Sequence, residues 1–241
     1  MTISKRLINI DNPKASKSVK YGWLNGIHYM SPYDIAGVGN LCPDATPGCM
    51  ALCLGYFSGQ AAMVADYLDD ESKNATRLSR DAKAQQFMEN RKAYIAAFTK
   101  QMLAFVAEAK SLGLKPCVRF DGSTDTGYGL RLAREHSTIQ FTDYTKNKRR
   151  AMDNATGKHP ANYSVTFSHS EKNFADCLDI LKAGGNVAVC MEDFPSTWHG
   201  FDVIDGDAHD LRHLDRRGVW VRLAPKGAAR KDTSGFVVRN I

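Results

Sequence analysis

The spacing of apolar positions divides the chain into a helical region and a region of alternating strands and helices. Between about residues 60 and 112, apolar side chains recur every three or four positions, the period of an amphipathic helix. The clearest run is Tyr94, Ala97, Phe98, Met102, Phe105, Val106 and Ala109. This pattern predicts one long helix with another before it. Asn90 or Ser79 is a candidate cap, and Gly113 marks the predicted helix end.

The first 40 residues have a different character, because glycine, asparagine, proline and aromatic residues are mixed there. This composition predicts strands and loops in the N-terminal segment, with extended segments at 7–10 and 28–30. "GVGN" at 37–40 leads directly into a cysteine-rich loop.

Beyond Pro116, short β-branched or aromatic runs alternate with segments of helical length. The runs are "CVRFDGSTD", "TIQFTDYTK", "YSVTFSHS", "NVAVCMED", "FDVIDGD" and "GVWVRLAPKG". Three segments between them, "GYGLRLAREH", "NKRRAMDNA" and "EKNFADCLDILKAGG", suit crossover helices between parallel strands. We therefore expect a single α/β domain over 1–241, built as a partial or complete parallel (β/α) barrel with additional N-terminal helices. An open, doubly wound sheet is the alternative.

Polar side chains follow each predicted strand. In parallel α/β folds the loops after the strands carry the reactive groups, so these positions predict a pocket for a polar ligand. The strand ends bear Arg119, Asp121, Ser123, Asp125, Asp143, Tyr144, Lys146, Thr166, Ser168, His169, Glu192, Asp193, Asp205, Asp207, His209 and Lys226. The candidates for binding a cofactor or substrate are Asp121, Ser123, Asp125, Glu192 and Asp205. Any one of them can equally be a residue that caps the next helix.

The overall composition is that of a globular protein, with 43% hydrophobic and 24% charged residues. The sequence has no apolar run of spanning length and no apolar segment of a secretory signal near its start, so we expect a cytoplasmic protein without a membrane partner. The net charge of +6 makes an anionic partner such as nucleic acid conceivable. Solvated surface residues explain a charge of this size equally well.

The most specific chemical feature is the loop at 41–59, "LCPDATPGCMALCLGYFSG". Cys42, Cys49 and Cys53 follow a C-x6-C-x3-C spacing, which allows three sulfurs to point at one centre. In a reducing compartment such a cluster favours metal binding over disulfides. The other cysteines, Cys117, Cys177 and Cys190, fall in apolar patterns and are expected in the core.

Three thiolates suit either an iron–sulfur cluster or zinc. Structural zinc normally takes four ligands, and no fourth cysteine or histidine lies nearby in the sequence. A [4Fe-4S] cluster on three cysteines would leave one iron open to a small molecule. We therefore favour a cluster, with zinc and three ordinary buried thiols as the alternatives.

An early three-cysteine loop followed by βα units resembles the radical S-adenosylmethionine superfamily. That resemblance implies a radical-SAM-like partial barrel, a [4Fe-4S] cluster near the first strand and S-adenosylmethionine as a second cofactor. The usual spacing in the superfamily is C-x3-C-x2-C, from which this loop departs.

The sequence also resembles the uncharacterised bacteriophage gene product 88-like family. The likeness is carried by "CPDATPGCMALC", "VRFDGSTD" and "DGDAHDLRHLDRRGVWVRLAPKG" and spans most of the chain. It implies a phage or prophage protein that acts in the host cytoplasm, and it implies no particular reaction.

Two functions follow from these observations. The first is an iron–sulfur enzyme, radical-SAM-like, that acts on a small-molecule or nucleotide-like substrate of polar or anionic character; its catalytic residues are not assigned. The second is a nucleic-acid-associated binding protein with a structural iron–sulfur or zinc site, in which basic residues at 146–150 and 222–231 contact phosphates.

The segment "DAHDLRHLD" places His209 and His213 four residues apart, a spacing that can bind a metal on one helix face. It lacks a third ligand at an obvious position. We expect an exposed turn of paired charges there.

Overall fold

The computed structural model describes residues 6–11, 16–57 and 74–239. The segment at 58–73, which contains part of the predicted helical region and the end of the cysteine loop, lies outside the described residues. No helix among the described residues has the length and apolar character needed to cross a membrane.

The described N-terminal part contributes one strand and four helices. The strand β1 is Trp23–Ile27, and the helices are α1 (Pro47–Ala51), α2 (Leu54–Phe57), α3 (Ala75–Glu89) and α4 (Arg91–Ser111). Short 3-10 helices lie at Val19–Tyr21, Arg212–Leu214 and Gly227–Lys231.

A single asparagine separates the two long helices. The side chain of Asn90 accepts a hydrogen bond from the amide of Ala93 at 3.1 Å and so begins α4, while its own amide donates to Gln86 at the end of α3. Asn90 is therefore the cap that the sequence predicts. The region predicted as one long helix with another before it contains two described helices that meet at this residue.

Strands and helices alternate through the rest of the chain. In order they are β2 (Lys115–Arg119), α5 (Tyr128–Glu135), β3 (Gln140–Thr145), α6 (Lys148–Ala155), β4 (Tyr163–Ser168), α7 (Phe174–Lys182), β5 (Val187–Cys190), β6 (Thr197–Trp198), β7 (Phe201–Asp205) and β8 (Trp220–Leu223). All six predicted strands and all three predicted crossover helices are confirmed. The strands β1 and β6 were not predicted at these positions.

The eight strands form one open sheet in the order β1-β2-β3-β4-β5-β8-β7-β6. Every pair is parallel except the short hairpin of β6 and β7. The fold is therefore α/β with a mostly parallel sheet, as expected. The sheet does not close, because β1 lies at one edge and the hairpin at the other, so a complete barrel is not confirmed.

Helices cover one face of this sheet. The strand register places Thr145, Phe167, Val187 and Trp220 in one row across β3, β4, β5 and β8. Apolar members of this row pack with residues of α6 and α7, and the same face of β1 to β3 packs against α4 and α5. The helices described in the βα region thus lie on one side, which differs from the two-sided cover of a doubly wound sheet.

The opposite face of the sheet carries polar and charged residues and meets the segment at 207–217. Within this segment Asp210, Leu211 and Arg212 are buried, and His213 packs edge-on against Trp23 with ring centroids 4.4 Å apart. The expectation of an exposed turn is wrong here. The charges are paired, as Arg212 with Asp215, but the segment folds back onto the sheet through the 3-10 helix Arg212–Leu214, which contacts β4.

Candidate ligand pocket at the carboxyl ends of the strands

A pocket of about 640 Å³ lies where the parallel strands end. Its floor and walls include strand ends from β1 (Ile27), β2 (Arg119), β3 (Tyr144), β4 (Ser168) and β8 (Leu223). The loop that bears Cys42, Cys49 and Cys53 and residues from 224–236 complete the lining. This is the edge at which the sequence predicts a polar-ligand pocket, because the carboxyl ends of parallel strands converge there.

Contacts with other loops set the position of the cysteine loop. Pro47 and the capping hydroxyl of Thr46, which accepts from the amide of Cys49 at 3.3 Å, start the short helix α1. The carboxylate of Glu171, in the loop after β4, accepts hydrogen bonds from Thr46 Oγ1 at 2.8 Å and from the Gly48 amide at 3.0 Å. The start of α1, the helix that carries Cys49, is thus bound to a residue more than 100 positions away in the chain.

The other end of the cysteine loop is bound to the loop after β2. The Cys42 thiol donates to the carbonyl oxygen of Ser123 at 3.8 Å, and the Asp125 amide donates to the carbonyl oxygen of Leu41 at 2.9 Å. The cysteine loop therefore forms one wall of the pocket together with the loop after β2, which carries Asp121, Ser123 and Asp125.

The thiols of this loop sit close enough together to influence one another. Burial raises the pKa of Cys42 to about 12, and a charge on Cys53 would raise it further. Burial likewise raises the pKa of Cys53 to about 11, with the neighbouring Cys49 acting in the same direction. Both thiols are protonated at neutral pH, so binding a metal would release their protons.

In the described residues, no group of three or more histidine, cysteine, aspartate or glutamate side chains is arranged to hold a metal ion. The structure therefore brings Cys42, Cys49 and Cys53 to one pocket without converging their sulfurs on one centre. As a donor set, three half-buried thiols in one pocket suit soft metals and iron–sulfur clusters.

Asp121 organises the loop between β2 and α5. Its buried carboxylate accepts hydrogen bonds from Thr124 Oγ1 at 2.6 Å, Thr126 Oγ1 at 2.8 Å and the Gly127 amide at 2.9 Å. These donors come from the loop itself, so the carboxylate fixes the loop conformation that forms the pocket wall.

Asp125 and Ser123, also predicted to bind a ligand, line the pocket while bonded to the protein. Asp125 pairs with Arg150 at 2.9 Å and accepts from Thr145 Oγ1 at 3.1 Å. The Ser123 hydroxyl donates to the carbonyl oxygen of Met30 at 2.6 Å. The structure thus brings three of the five predicted binding residues to the pocket, and whether they touch a ligand stays a prediction.

Glu192 and Asp205, the other two, are exposed and do not line the pocket. Met191 pairs with Val238, which extends the sheet past β5, and Glu192 bonds to Arg239 at 2.8 Å on the outside. The position of Glu192 directly after β5 in the sequence does not reveal these contacts with the C-terminal segment.

The pocket is lined by further polar side chains, and their position after a strand identifies only some of them. Arg119 pairs with Asp210 at 3.1 Å and lies over the ring of Tyr144 at 4.4 Å. Tyr29 also lines the pocket and follows β1 directly. The strand-end rule would have identified Tyr29 if β1 had been placed at Trp23–Ile27 instead of at 28–30.

The cysteines outside the loop divide between core and pocket. Cys117 and Cys177 are fully buried, as predicted. Cys190 is half-buried at the end of β5 and lines the pocket, so its assignment to the core is wrong. Burial raises the pKa of the Cys190 thiol to about 11; the nearby Arg222 lowers it and Asp207 raises it. For the Cys53 thiol, burial raises the pKa and the neighbouring Cys49 acts in the same direction.

Comparison with protein-family models gives a match to the family described as Gene product 88 over residues 3–240. The chain belongs to the gene product 88 family. The resemblance expected from the sequence is confirmed for the family, and the match extends over the cysteine loop and all strands that line the pocket. Searches of curated proteins and of solved structures give no match for this gene product 88 family member.

Proposed function

We propose that this gene product 88 family member is an iron–sulfur enzyme that holds a [4Fe-4S] cluster on Cys42, Cys49 and Cys53. Its substrate, a small molecule of polar or anionic character or a nucleotide-like molecule, would occupy the same pocket. One observation carries the proposal: three thiols from one short loop share a pocket with polar side chains from the ends of parallel strands.

The dimensions of the pocket favour a small ligand. About 640 Å³ falls within the range of roughly 300–1,000 Å³ that is common for pockets of small molecules and cofactors. A folded macromolecule does not fit into such a space, although one of its side chains or bases would.

The donor set supports a cluster more than a closed structural site. Three cysteines provide three ligands and leave a fourth coordination position for a ligand in the pocket. Such a cluster would supply one-electron chemistry when bound. Because burial keeps Cys42 and Cys53 protonated, the cysteine loop would have to release these protons on loading.

The chain's own residues would bind and orient the substrate. The Arg119–Asp210 pair and the ring of Tyr144 form a rigid polar floor, since the guanidinium contacts both. Tyr29 and Tyr33 supply aromatic side chains to the same pocket as the cysteine loop. Asp121 and Asp125 hold the adjacent loop in place through the hydrogen bonds described above.

A radical-SAM-like arrangement is part of the proposal. The cysteine loop lies after the first strand of a mostly parallel sheet, and the helices of the βα region cover one face of that sheet, as in a partial barrel. On this basis we propose S-adenosylmethionine as a second cofactor, and a phage protein that works in the host cytoplasm.

Metal and sulfide analysis of anaerobically purified protein tests the cluster. We expect broad visible absorption with about four irons and about four sulfides per chain. Cys42→Ala, Cys49→Ala and Cys53→Ala should each lose most of the iron. Cys190→Ala is the matched control, because it removes a thiol from another wall of the same pocket, and it should retain the iron.

A colourless protein with one zinc contradicts the proposal, and so does iron content that falls equally in Cys190→Ala. Equilibrium dialysis with S-adenosylmethionine, followed by a search for deoxyadenosine after reduction, then tests the second cofactor. Iron without binding of S-adenosylmethionine would remove only the radical-SAM-like part.

The alternative of nucleic-acid binding invokes basic residues of which several are already bonded within the protein. Lys148 pairs with Asp176 and Asp179, and Lys226 pairs with Asp207. Arg222 donates to backbone carbonyl oxygens of Met191 and Glu192. Charges already paired within the protein contribute less to phosphate binding. A salt titration with DNA tests this alternative, which requires affinity that falls steeply with salt.

A further inference from the structure

Most of the charged side chains that line the pocket form ion pairs within the protein. Asp210 pairs with Arg119 at 3.1 Å, and Asp207 pairs with Lys226. Since each of these carboxylates has its own cation, neither of the two pairs offers an uncompensated charge to a ligand.

The two remaining carboxylates of the lining are also satisfied. Asp125 pairs with Arg150 at 2.9 Å, and Asp121 accepts three hydrogen bonds from its own loop while only 1% of the residue is exposed. Asp125 is therefore paired with a cation, whereas Asp121 is held in place by neutral donors of its own loop.

Lys146 differs from the other two cations of the lining, Arg119 and Lys226, which each pair with an aspartate. Its ammonium group forms no ion pair with any residue in the described part of the chain, and its contact there is with the face of Phe236, 5.5 Å from the ring centroid. The side chain is half-buried and lines the pocket. A partly desolvated ammonium without a counter-charge favours a ligand that carries an anion.

The neighbours of Lys146 complete a polar subsite. Thr145 pairs in register with Phe167, so the next positions along β3 and β4 are Lys146 and Ser168, which both line the pocket. Within the described residues the Ser168 hydroxyl has no hydrogen-bond partner, and His169 follows it in the lining. Burial lowers the pKa of His169 to about 4, so its imidazole is neutral at pH 7 and adds no charge.

We propose that Lys146, with the hydroxyl of Ser168 and the imidazole of His169 beside it, binds an anionic group of the molecule that occupies the pocket. The group is an oxyanion, either a carboxylate or a phosphate, since both accept charge-assisted hydrogen bonds from an ammonium. The inference rests on the proposed role of this pocket as a ligand site. Burial raises the pKa of Cys53 and the nearby Lys146 lowers it, so the proposal is stated for the metal-free chain, in which the Cys53 thiol carries no charge.

Anion binding by the full-length, metal-free chain tests the subsite. Inorganic phosphate and acetate are titrated at constant ionic strength, with chloride as the balancing anion, and binding is followed by calorimetry and by the rise in Tm. We expect saturable binding of at least one of the two. Tighter binding of phosphate identifies a phosphate-bearing ligand, and tighter binding of acetate identifies a carboxylate.

The variants assign that binding to Lys146. Lys146→Gln should weaken it about tenfold or more, because a charge-assisted hydrogen bond is lost, whereas Lys146→Arg should retain most of it. Arg149→Gln is the matched control: it removes one positive charge three positions away on an exposed residue outside the pocket. It should leave the affinity within about twofold, as expected for a screened surface charge.

A direct readout is the rate at which an amine-acylating reagent modifies Lys146, measured by mass spectrometry. The bound anion should slow this rate, while the rate at exposed Lys172 should not change. The proposal is overturned if neither anion binds, if Lys146→Gln behaves like Arg149→Gln, or if Lys146 is not protected. Because the measurements use metal-free protein, the iron and sulfide analysis succeeds or fails independently of them.

Discussion

The two faces of the sheet differ in what they bury. The helix-covered face is dominated by closely packed apolar and aromatic rings such as Phe98, Phe120 and Phe141, all without exposed surface. The opposite face and its carboxyl edge hold the Arg119–Asp210 pair, tyrosines and thiols. Apolar burial stabilises a fold with no further requirement, whereas buried charges need partners and contribute little net stability. The comparison indicates that the first face supplies most of the apolar burial, while the second carries polar groups that line the pocket.

Truncation of Phe120 should have the largest effect. Its ring contacts those of Phe98 at 4.9 Å and His28 at 4.6 Å between centroids, so Phe120→Ala leaves a cavity among aromatic groups. We expect a loss of about 3–5 kcal/mol in the free energy of unfolding, measured by urea denaturation. Phe194→Ala, at a side chain that is largely exposed, should cost less than about 0.5 kcal/mol. Equal losses of unfolding free energy in the two variants would contradict the expected difference between the helix-covered face and the surface.

Breaking the Arg119–Asp210 pair tests the polar face. Asp210→Asn leaves a largely buried guanidinium without its carboxylate and should cost about 3 kcal/mol in urea denaturation. Replacing both residues, with Arg119→Met and Asp210→Leu together, should recover at least half of that loss, because no unpaired charge remains. If the double variant is as unstable as Asp210→Asn, the ion pair itself stabilises the fold. That result would contradict the statement that the charges of the polar face contribute little net stability.

Acid should destabilise the protein through His28, which lies on the helix-covered side. Its Nδ1 donates to the carbonyl oxygen of Phe120 at 2.9 Å, and its Nε2 accepts from the Tyr94 hydroxyl at 2.8 Å. Burial lowers the pKa of His28 to about 3, whereas the unfolded value is about 6.5. The contribution to stability is therefore fully present above pH 6.5 and is lost as the pH falls toward 3, at about 1.4 kcal/mol per unit.

By pH 5 this single group should cost about 2 kcal/mol. Urea denaturation at pH 7, 6 and 5 measures the effect, and His28→Phe should reduce proton uptake on unfolding by about one. Burial also lowers the pKa of His169, which follows β4, to about 4, so the stability lost through protonation of His169 stops increasing at a higher pH than that lost through His28. An unchanged slope in His28→Phe would show that His28 is not the buried neutral group.

Removal of the Glu171 carboxylate should have the smallest effect on stability. Glu171→Ala deletes two hydrogen bonds to the start of α1 and should cost about 1 kcal/mol. Its local effect should be clearer, with faster hydrogen exchange at the amides of Gly48 and Cys49 than in the wild type. Lys172→Ala, at the exposed neighbouring position, is the control and should leave these amides unchanged.

The sequence predicts most of the region after Pro116 because its strands are short runs rich in β-branched and aromatic residues, separated by segments of helical length. It fails at β1, since Asn25 and Gly26 interrupt the apolar pattern of "WLNGI". Gly26 is required there: a Cβ would lie 2.9 Å from the ring of Phe105 and 2.8 Å from the side chain of Ile8. Close packing of a helix against a strand explains the glycine, and no local pattern reveals it.

For the candidate site, the position after a strand identifies residues such as Arg119, Lys146 and Ser168, which line the pocket. It fails for Glu192 because the C-terminal segment pairs beyond β5, and for Asp210 because the segment after β7 folds back onto the sheet. Both failures come from contacts between residues far apart in the chain, which the spacing of residues does not encode.

The link from Glu171 to α1 has a consequence for assembly of the site. A peptide of residues 41–57 would lack Glu171, Ser123 and Asp125, the three partners that fix its two ends. The distances among its sulfurs are therefore set by the folded sheet and not by the spacing of the cysteines. Loss of the contacts with the loops after β2 and β4 would therefore release the segment that carries all three cysteines.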